Sequence, residues 1–209
     1  KPFYFPTPKD WPAIVRKAEL QSERGEDPHL RKEWLVTNGL GGYASGTVAG
    51  PVTRRYHGLL VAALPAPFGR MMMLNALSEQ VRLPDRRRIA LGGEEWINEL
   101  RRIDAMAELV EFRLENGLPV WVFDAGGFLV ERRIIMPYRQ NTTFILYRMV
   151  QGDQTLRLGL RPAAQFRSHD APVSVASGRP ADLFISGDQI ELLAAIDGVM
   201  HHMRAAPQP

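Results

Sequence analysis

Residues 108–124 read E-L-V-E-F-R-L-E-N-G-L-P-V-W-V-F-D. Val110, Phe112 and Leu114 alternate with Glu111 and Arg113, and a period of two sets apolar side chains on one face of a strand. Asn116-Gly117 follows, a dipeptide that supplies the positive φ angles of a tight hairpin turn. Val120-Trp121-Val122-Phe123 is apolar throughout, as expected of a strand covered on both faces. The stretch therefore reads as strand, turn, strand.

The same punctuation recurs along the chain. Gly92-Gly93, Gly126-Gly127, Gly152-Asp153, Ser177-Gly178, Gly187-Asp188 and Asp197-Gly198 fall between apolar runs. Thr143-Phe144-Ile145-Leu146-Tyr147 is a second dense run expected to lie between two sheets, and residues 156–161, L-R-L-G-L-R, alternate cleanly. Strands at this spacing, with no long helical pattern among them, predict an all-β fold, an antiparallel β-sandwich. Met71-Met72-Met73-Leu74 is expected to fill the core rather than form an adaptable surface.

The amino-terminal end reads differently. Pro2, Pro6, Pro8 and Pro12 punctuate an extended arm. Ile14, Val15, Ala18 and Leu20 recur on one side of a pattern compatible with a short helix over residues 14–24, ended by Gly25-Glu26-Asp27-Pro28. The expected organisation is an arm over residues 1–28 and a β-sandwich domain over residues 29–209.

Composition sets outer bounds. With 209 residues the chain fits one large domain or at most two small ones, and its 45% hydrophobic and 23% charged residues suit an ordinary soluble core. It has no cysteine, which excludes a disulfide framework and thiolate chemistry. No signal peptide and no apolar run long enough to span a membrane is visible, which fits a cytoplasmic protein without a membrane partner. The net charge of +3 is mild. Arg86-Arg87-Arg88, Arg101-Arg102 and Arg132-Arg133 are interleaved with Asp85, Glu94, Glu95, Glu99, Asp104 and Glu131. Mixed charge of this kind reads as a solvated outer face, so no nucleic-acid partner is expected.

Residues 33–61 carry the most chemistry: E-W-L-V-T-N-G-L-G-G-Y-A-S-G-T-V-A-G-P-V-T-R-R-Y-H-G-L-L-V. Six glycines shape the backbone around Asn38, Tyr43, Ser45 and Thr47, and the cluster Arg54-Arg55-Tyr56-His57 adds fixed donors and an aromatic face. Gly39-Leu40-Gly41-Gly42 does not match a dinucleotide fingerprint or a P-loop, so a nucleotide cofactor is not expected.

This segment resembles the opening motif of the bacterial and archaeal glycogen debranching enzymes of the amylo-α-1,6-glucosidase type, E-W-L-x-T-N-G-x-G-G-Y-A-S-G-T followed by T-R-R-Y-H-G-L-L. The match runs without departure over residues 33–60. A looser likeness is the R-P-x-x-x-x-R-x-H stretch of residues 161–169. The resemblance implies an amino-terminal β domain of the galactose mutarotase-like supersandwich type. It also implies a hydrolytic (α/α)6 barrel elsewhere in the polypeptide, which these 209 residues do not contain.

Glycoside hydrolysis needs two flanking carboxylates. Asp124, before Ala125-Gly126-Gly127, comes nearest to such a setting, but reads better as a turn initiator. The resemblance places the catalytic carboxylates in the barrel. No catalytic residue, metal or cofactor is therefore assigned. His57 is expected to hydrogen-bond locally, with Glu33 and His169 too distant in sequence to infer proximity, and adjacent His201-His202 would face opposite ways on a strand. The expected substrate-binding residues are Asn38, Tyr43, Arg54, Arg55, Tyr56 and His57, with Arg54 and Arg55 on opposite faces of a strand and one of them paired to a carboxylate. Trp34, Trp96 and Trp121 are aromatic candidates whose default place is the core.

The reading is thus a non-catalytic domain that helps shape an α-glucan cleft and docks on the catalytic domain. The alternatives are a free-standing carbohydrate-binding module and a purely structural interaction domain.

Overall fold

A computed structural model describes residues 14–18, 31–92, 105–173, 181–196 and 199–207. Every regular element among them is a β-strand. The strands are β1 (Val15–Lys17), β2 (Glu33–Thr37), β3 (Tyr43–Thr47), β4 (Gly58–Ala63), β5 (Arg70–Arg82), β6 (Arg88–Ala90), β7 (Ala105–Met106), β8 (Glu108–Glu115), β9 (Leu118–Asp124), β10 (Leu129–Ile135), β11 (Phe144–Gln151), β12 (Arg157–Ser168), β13 (Asp182–Ser186), β14 (Gln189–Ile196) and β15 (Val199–Ala205).

They form three sheets. The first has the order β1-β8-β9-β10-β11, and the second runs β2-β3-β4-β5-β6-β7 with β12 added to β5. The third is the meander β13-β14-β15. Pairings are antiparallel except β6 with β7. The antiparallel sandwich expected from the turn pattern is thereby borne out.

The hairpin of β8 and β9 closes as the sequence dictates: Glu115 pairs with Leu118, and Asn116 and Gly117 take φ of 51° and 83°. Both turn residues are left-handed, the geometry that matches strand twist. Gly187-Asp188 joins β13 to β14 in the same two-residue form. Asp124 accepts a 2.7 Å bond from the Gly127 amide, a turn role as expected.

The main core lies between the first two sheets. Phe112, Trp121, Phe123, Val130 and Ile134 meet Trp34, Val36, Val48, Val81 and Ile89. Trp34 and Trp121 pack edge to face at 5.3 Å, and the Trp121 indole donates to the Val48 carbonyl at 2.9 Å, pinning one sheet to the other. Trp34 and Trp121 are thus core residues, while Trp96 lies outside the described residues. A second core on the far side of β5 joins Met71, Met73, Ala62 and Phe166 to Ala194 and Met203 of the third sheet. The methionine run is buried, as expected.

On the outer face of the first sheet, Val120 and Val122 are buried beneath charged side chains. Arg113 binds Glu111, Glu115 and Glu131 at 2.7–2.8 Å, and Lys17 and Arg133 extend the layer. Burial resists ionisation of Glu131, but the Arg113 hydrogen bond and the charges of Arg148 and Arg133 outweigh it, so its pKa falls below the usual range.

Three expectations are corrected. Residues 15–17 are a strand paired to β8 rather than part of a helix, because Val15–Lys17 meets the free edge at Arg113–Glu115; the rest of the expected helix lies outside the described residues. Thr143–Tyr147 is not covered on both faces: β11 is an edge strand whose Phe144 and Leu146 are exposed. Val110 does not share the buried face of Phe112, since a register shift between Leu109 and Glu111 bulges it outward and Leu109 packs inward instead. No helix among the described residues is long and apolar enough to cross a membrane.

Candidate functional site

Two segments far apart in sequence build one surface at the end of β3. The first is the Gly-rich stretch. Asn38, fully buried at the turn after β2, spends its side chain on the loops around it. Its Oδ1 accepts from the amides of Leu40 and Gly42 at 2.9 and 3.0 Å. Its Nδ2 donates to the Gln140 carbonyl and Asn141 Oδ1 at 2.9 and 3.1 Å. Both donors and both acceptor sites of the amide are engaged. Gly42 has no alternative there: a Cβ would stand 2.6 Å from Asn38 Nδ2 and 2.9 Å from the Val61 carbonyl.

On β3, Ala44 and Gly46 face the core, which leaves Tyr43 and Ser45 on the opposite face. The Tyr43 hydroxyl donates to the Tyr56 carbonyl at 3.1 Å. Residues 51–57 are not a strand but a loop, closed by the His57 amide bonding the Arg54 carbonyl at 3.0 Å. The expectation that Arg54 and Arg55 alternate on a strand is therefore corrected: Pro51 and the turn at 54–57 break the ladder. Their division of labour follows all the same. Arg54 is ion-paired to Glu33, while Arg55 lies over its neighbour's ring at 4.8 Å and bonds the Tyr56 hydroxyl at 2.6 Å. Tyr56 is 39% exposed and available to a partner.

His57 is 2% exposed, with Nε2 3.5 Å from Glu33 Oε1 and no partner at Nδ1. Burial lowers its pKa, more than the Glu33 carboxylate raises it. It is a neutral, locally bonded imidazole near pH 7.

The second segment is the end of β12. Arg167 is buried and acts as a multiple clamp. It donates to the Arg55 carbonyl at 2.7 Å, to the carbonyls of Ser168, His169 and Ala171 at 3.1–3.2 Å, and to Gln165 Oε1 at 2.8 Å. The His169 ring then stands 5.9 Å from that of Tyr56 and 6.5 Å from that of Tyr43. Arg70 closes the other side, donating to the Gly41 carbonyl at 2.6 Å and accepting the His169 amide at its own carbonyl. Burial raises the Tyr43 pKa against the opposing charges of Arg70 and Arg167, so the phenol stays protonated as a donor.

The structure therefore gathers Tyr43, Arg55, Tyr56 and His169 on one face. It turns the exposed Arg54 and the buried His57 to Glu33 and uses Asn38 as the tie of the loop. Glu33, Arg70, Arg167 and His169 were not expected in the site. The signal for the last two was present in the R-x-H of residues 167–169, whose partner could not be read from one sequence.

A family model described as glycogen debranching enzyme N terminal matches residues 32–197, which covers both segments. The chain belongs to this family. No curated protein and no solved structure gives a significant match. Within this debranching-enzyme domain, the matched span starts one residue before β2 and ends one residue after β14.

Proposed function

We propose that this chain is the non-catalytic N-terminal domain of a glycogen debranching enzyme that hydrolyses α-1,6 branch linkages in α-glucans. In this reading, Tyr43, Arg55, Tyr56 and His169 form one wall of the substrate cleft, and the surrounding loops dock on the (α/α)6 catalytic domain. The supporting observation is the Arg167 clamp on the Arg55 carbonyl, which holds an exposed aromatic and guanidinium face in a fixed shape. Fixed rings and forked donors suit the C–H faces and hydroxyls of sugars. The carboxylates beside this face are engaged: Glu33 by Arg54 and Asp170 by Ser168. The domain contributes no catalytic acid and no cofactor, and is inactive alone.

The test is calorimetric titration of the chain with maltooligosaccharides and with a branched limit dextrin, followed by titration with the separately produced catalytic domain. Binding of the glucan that Tyr56→Ala weakens supports the wall. Binding of the catalytic domain that the same variant weakens supports docking. Release of glucose from a branched glucan by the chain alone overturns the non-catalytic assignment.

A further inference from the structure

The third sheet leaves one edge bare. Among the described residues, β13 pairs with β14 on one side and with no strand on the other. Leu183, Phe184 and Ile185 within it are 56%, 54% and 69% exposed. Among the described residues they are the only three consecutive large apolar side chains open to solvent. A free row of backbone N–H and C=O groups flanked by apolar side chains is a template for another strand.

The register shows what lies uncovered. Leu183 and Ile185 pair with Leu192 and Ile190 and share their face of the sheet. Leu192 packs against the second core, so the apolar stripe that holds the third sheet to the second continues through β13 into solvent. Phe184 stands on the opposite face. The strand is therefore apolar on both faces, the pattern of an interior strand rather than an edge.

The other edges are guarded. β1 ends in Lys17, β15 carries Arg204, and β12 carries Pro162. β11 has Arg148 and a register shift near Val150. β2 exposes a single large apolar residue, Leu35, and β7 has two residues. Charge, proline, bulges and shortness are the devices that prevent edge pairing. β13 pairs without irregularity and bears no charge after Asp182.

The strand is also complementary to itself. Antiparallel pairing of two copies about a two-fold axis at Phe184 sets Leu183 opposite the second copy's Ile185, and Asp182 opposite its Ser186. Apolar then meets apolar, ring meets ring and carboxylate meets hydroxyl, with no like charges opposed. The same operation about Gly159 of β12 sets Arg157 against Arg161. We propose that β13 is a homodimer interface, through which two copies of this chain join their third sheets into one continuous sheet with two-fold symmetry.

The experiment exploits a chain without cysteine, in which a single introduced thiol can form a disulfide only between two copies. Directly opposed residues of an antiparallel pair have Cα atoms about 4.5–5.5 Å apart, within reach of a disulfide. Phe184→Cys is expected to give a covalent dimer on air oxidation. Leu158→Cys, exposed on β12, is expected to stay monomeric. Sedimentation of the unaltered chain is expected to show a monomer–dimer equilibrium with a dissociation constant on the order of 10–100 μM, as suits a small interface. Phe184→Lys opposes two ammonium groups and is expected to weaken it by about 10-fold or more. Its thermal unfolding should be unchanged, because the side chain it replaces is exposed. An unaltered chain that remains monomeric at about 1 mM overturns the interface. So does a dimer that survives Phe184→Lys, or cross-linking no faster through Phe184→Cys than through Leu158→Cys.

Discussion

Arg167 donates a 2.7 Å hydrogen bond to the backbone carbonyl of Arg55, a residue 112 positions earlier. Through this bond the end of β12 fixes the loop that presents Tyr56. Four further bonds radiate from the same guanidinium. Arg167→Ala is expected to destabilise the chain by roughly 3 kcal/mol, the order for losing charged hydrogen bonds to buried acceptors. Urea unfolding measures it. Arg167→Lys recovers only part, because an ammonium cannot reproduce the fork.

His57 gives the domain a pH dependence of definite sign. Burial holds its pKa below the ordinary 6.5, so between 6.5 and the lowered value the unfolded chain binds more protons than the folded one. Stability from this residue is complete above pH 6.5 and declines as pH falls through the folded pKa. Denaturant unfolding measured stepwise below pH 6.5 is expected to show this slope, and His57→Gln to flatten it.

Gly42→Ala is expected to cost more than a helix-interior glycine substitution, roughly 2–4 kcal/mol, since the new methyl meets Asn38 and two backbone groups of β4. Asn38→Ala should fall in the same range by stranding the Leu40 and Gly42 amides. Thermal unfolding of both variants, and of the pair together, tests whether the losses overlap, as they must if the two residues form one unit.

Glu79, Arg132 and Tyr147 form a buried triad, with the Tyr147 hydroxyl on one carboxylate oxygen and Arg132 on the other. Arg132 also lies 4.0 Å over the Trp121 ring. Burial drives the Tyr147 pKa far up, and the Glu79 charge adds to it. Arg132→Met is expected to cost about 3–5 kcal/mol by leaving Glu79 unpaired, whereas the double variant with Glu79→Leu should recover much of that loss. A double-mutant cycle by denaturant unfolding decides it.

The fold was legible where local rules act alone. Asn116-Gly117 fixed its hairpin because two left-handed residues leave no other tight turn. Trp121 and the methionine run found the core because their size leaves little choice. Edges were not legible: Phe144 and Leu146 are as apolar as a central strand would be, and only the sheet order and their exposure show β11 to be an edge strand with one face open. At the site, Tyr43, Arg55 and Tyr56 stood out as a dense motif. Glu33 beside His57, and Arg167 beside Arg55, depend on long-range pairing that no spacing rule encodes.

The pairing of β5 with β12 has a further consequence, for the order of assembly. All of β8 to β11 lies in the loop that this pairing closes, and contacts so distant along the chain form slowly. During synthesis the glycine-rich stretch emerges well before the strand that carries Arg167. The segment whose identity is plainest in the sequence is thus among the last to acquire its shape, and the face of Tyr43, Arg55, Tyr56 and His169 is complete only once β12 has been made and has docked.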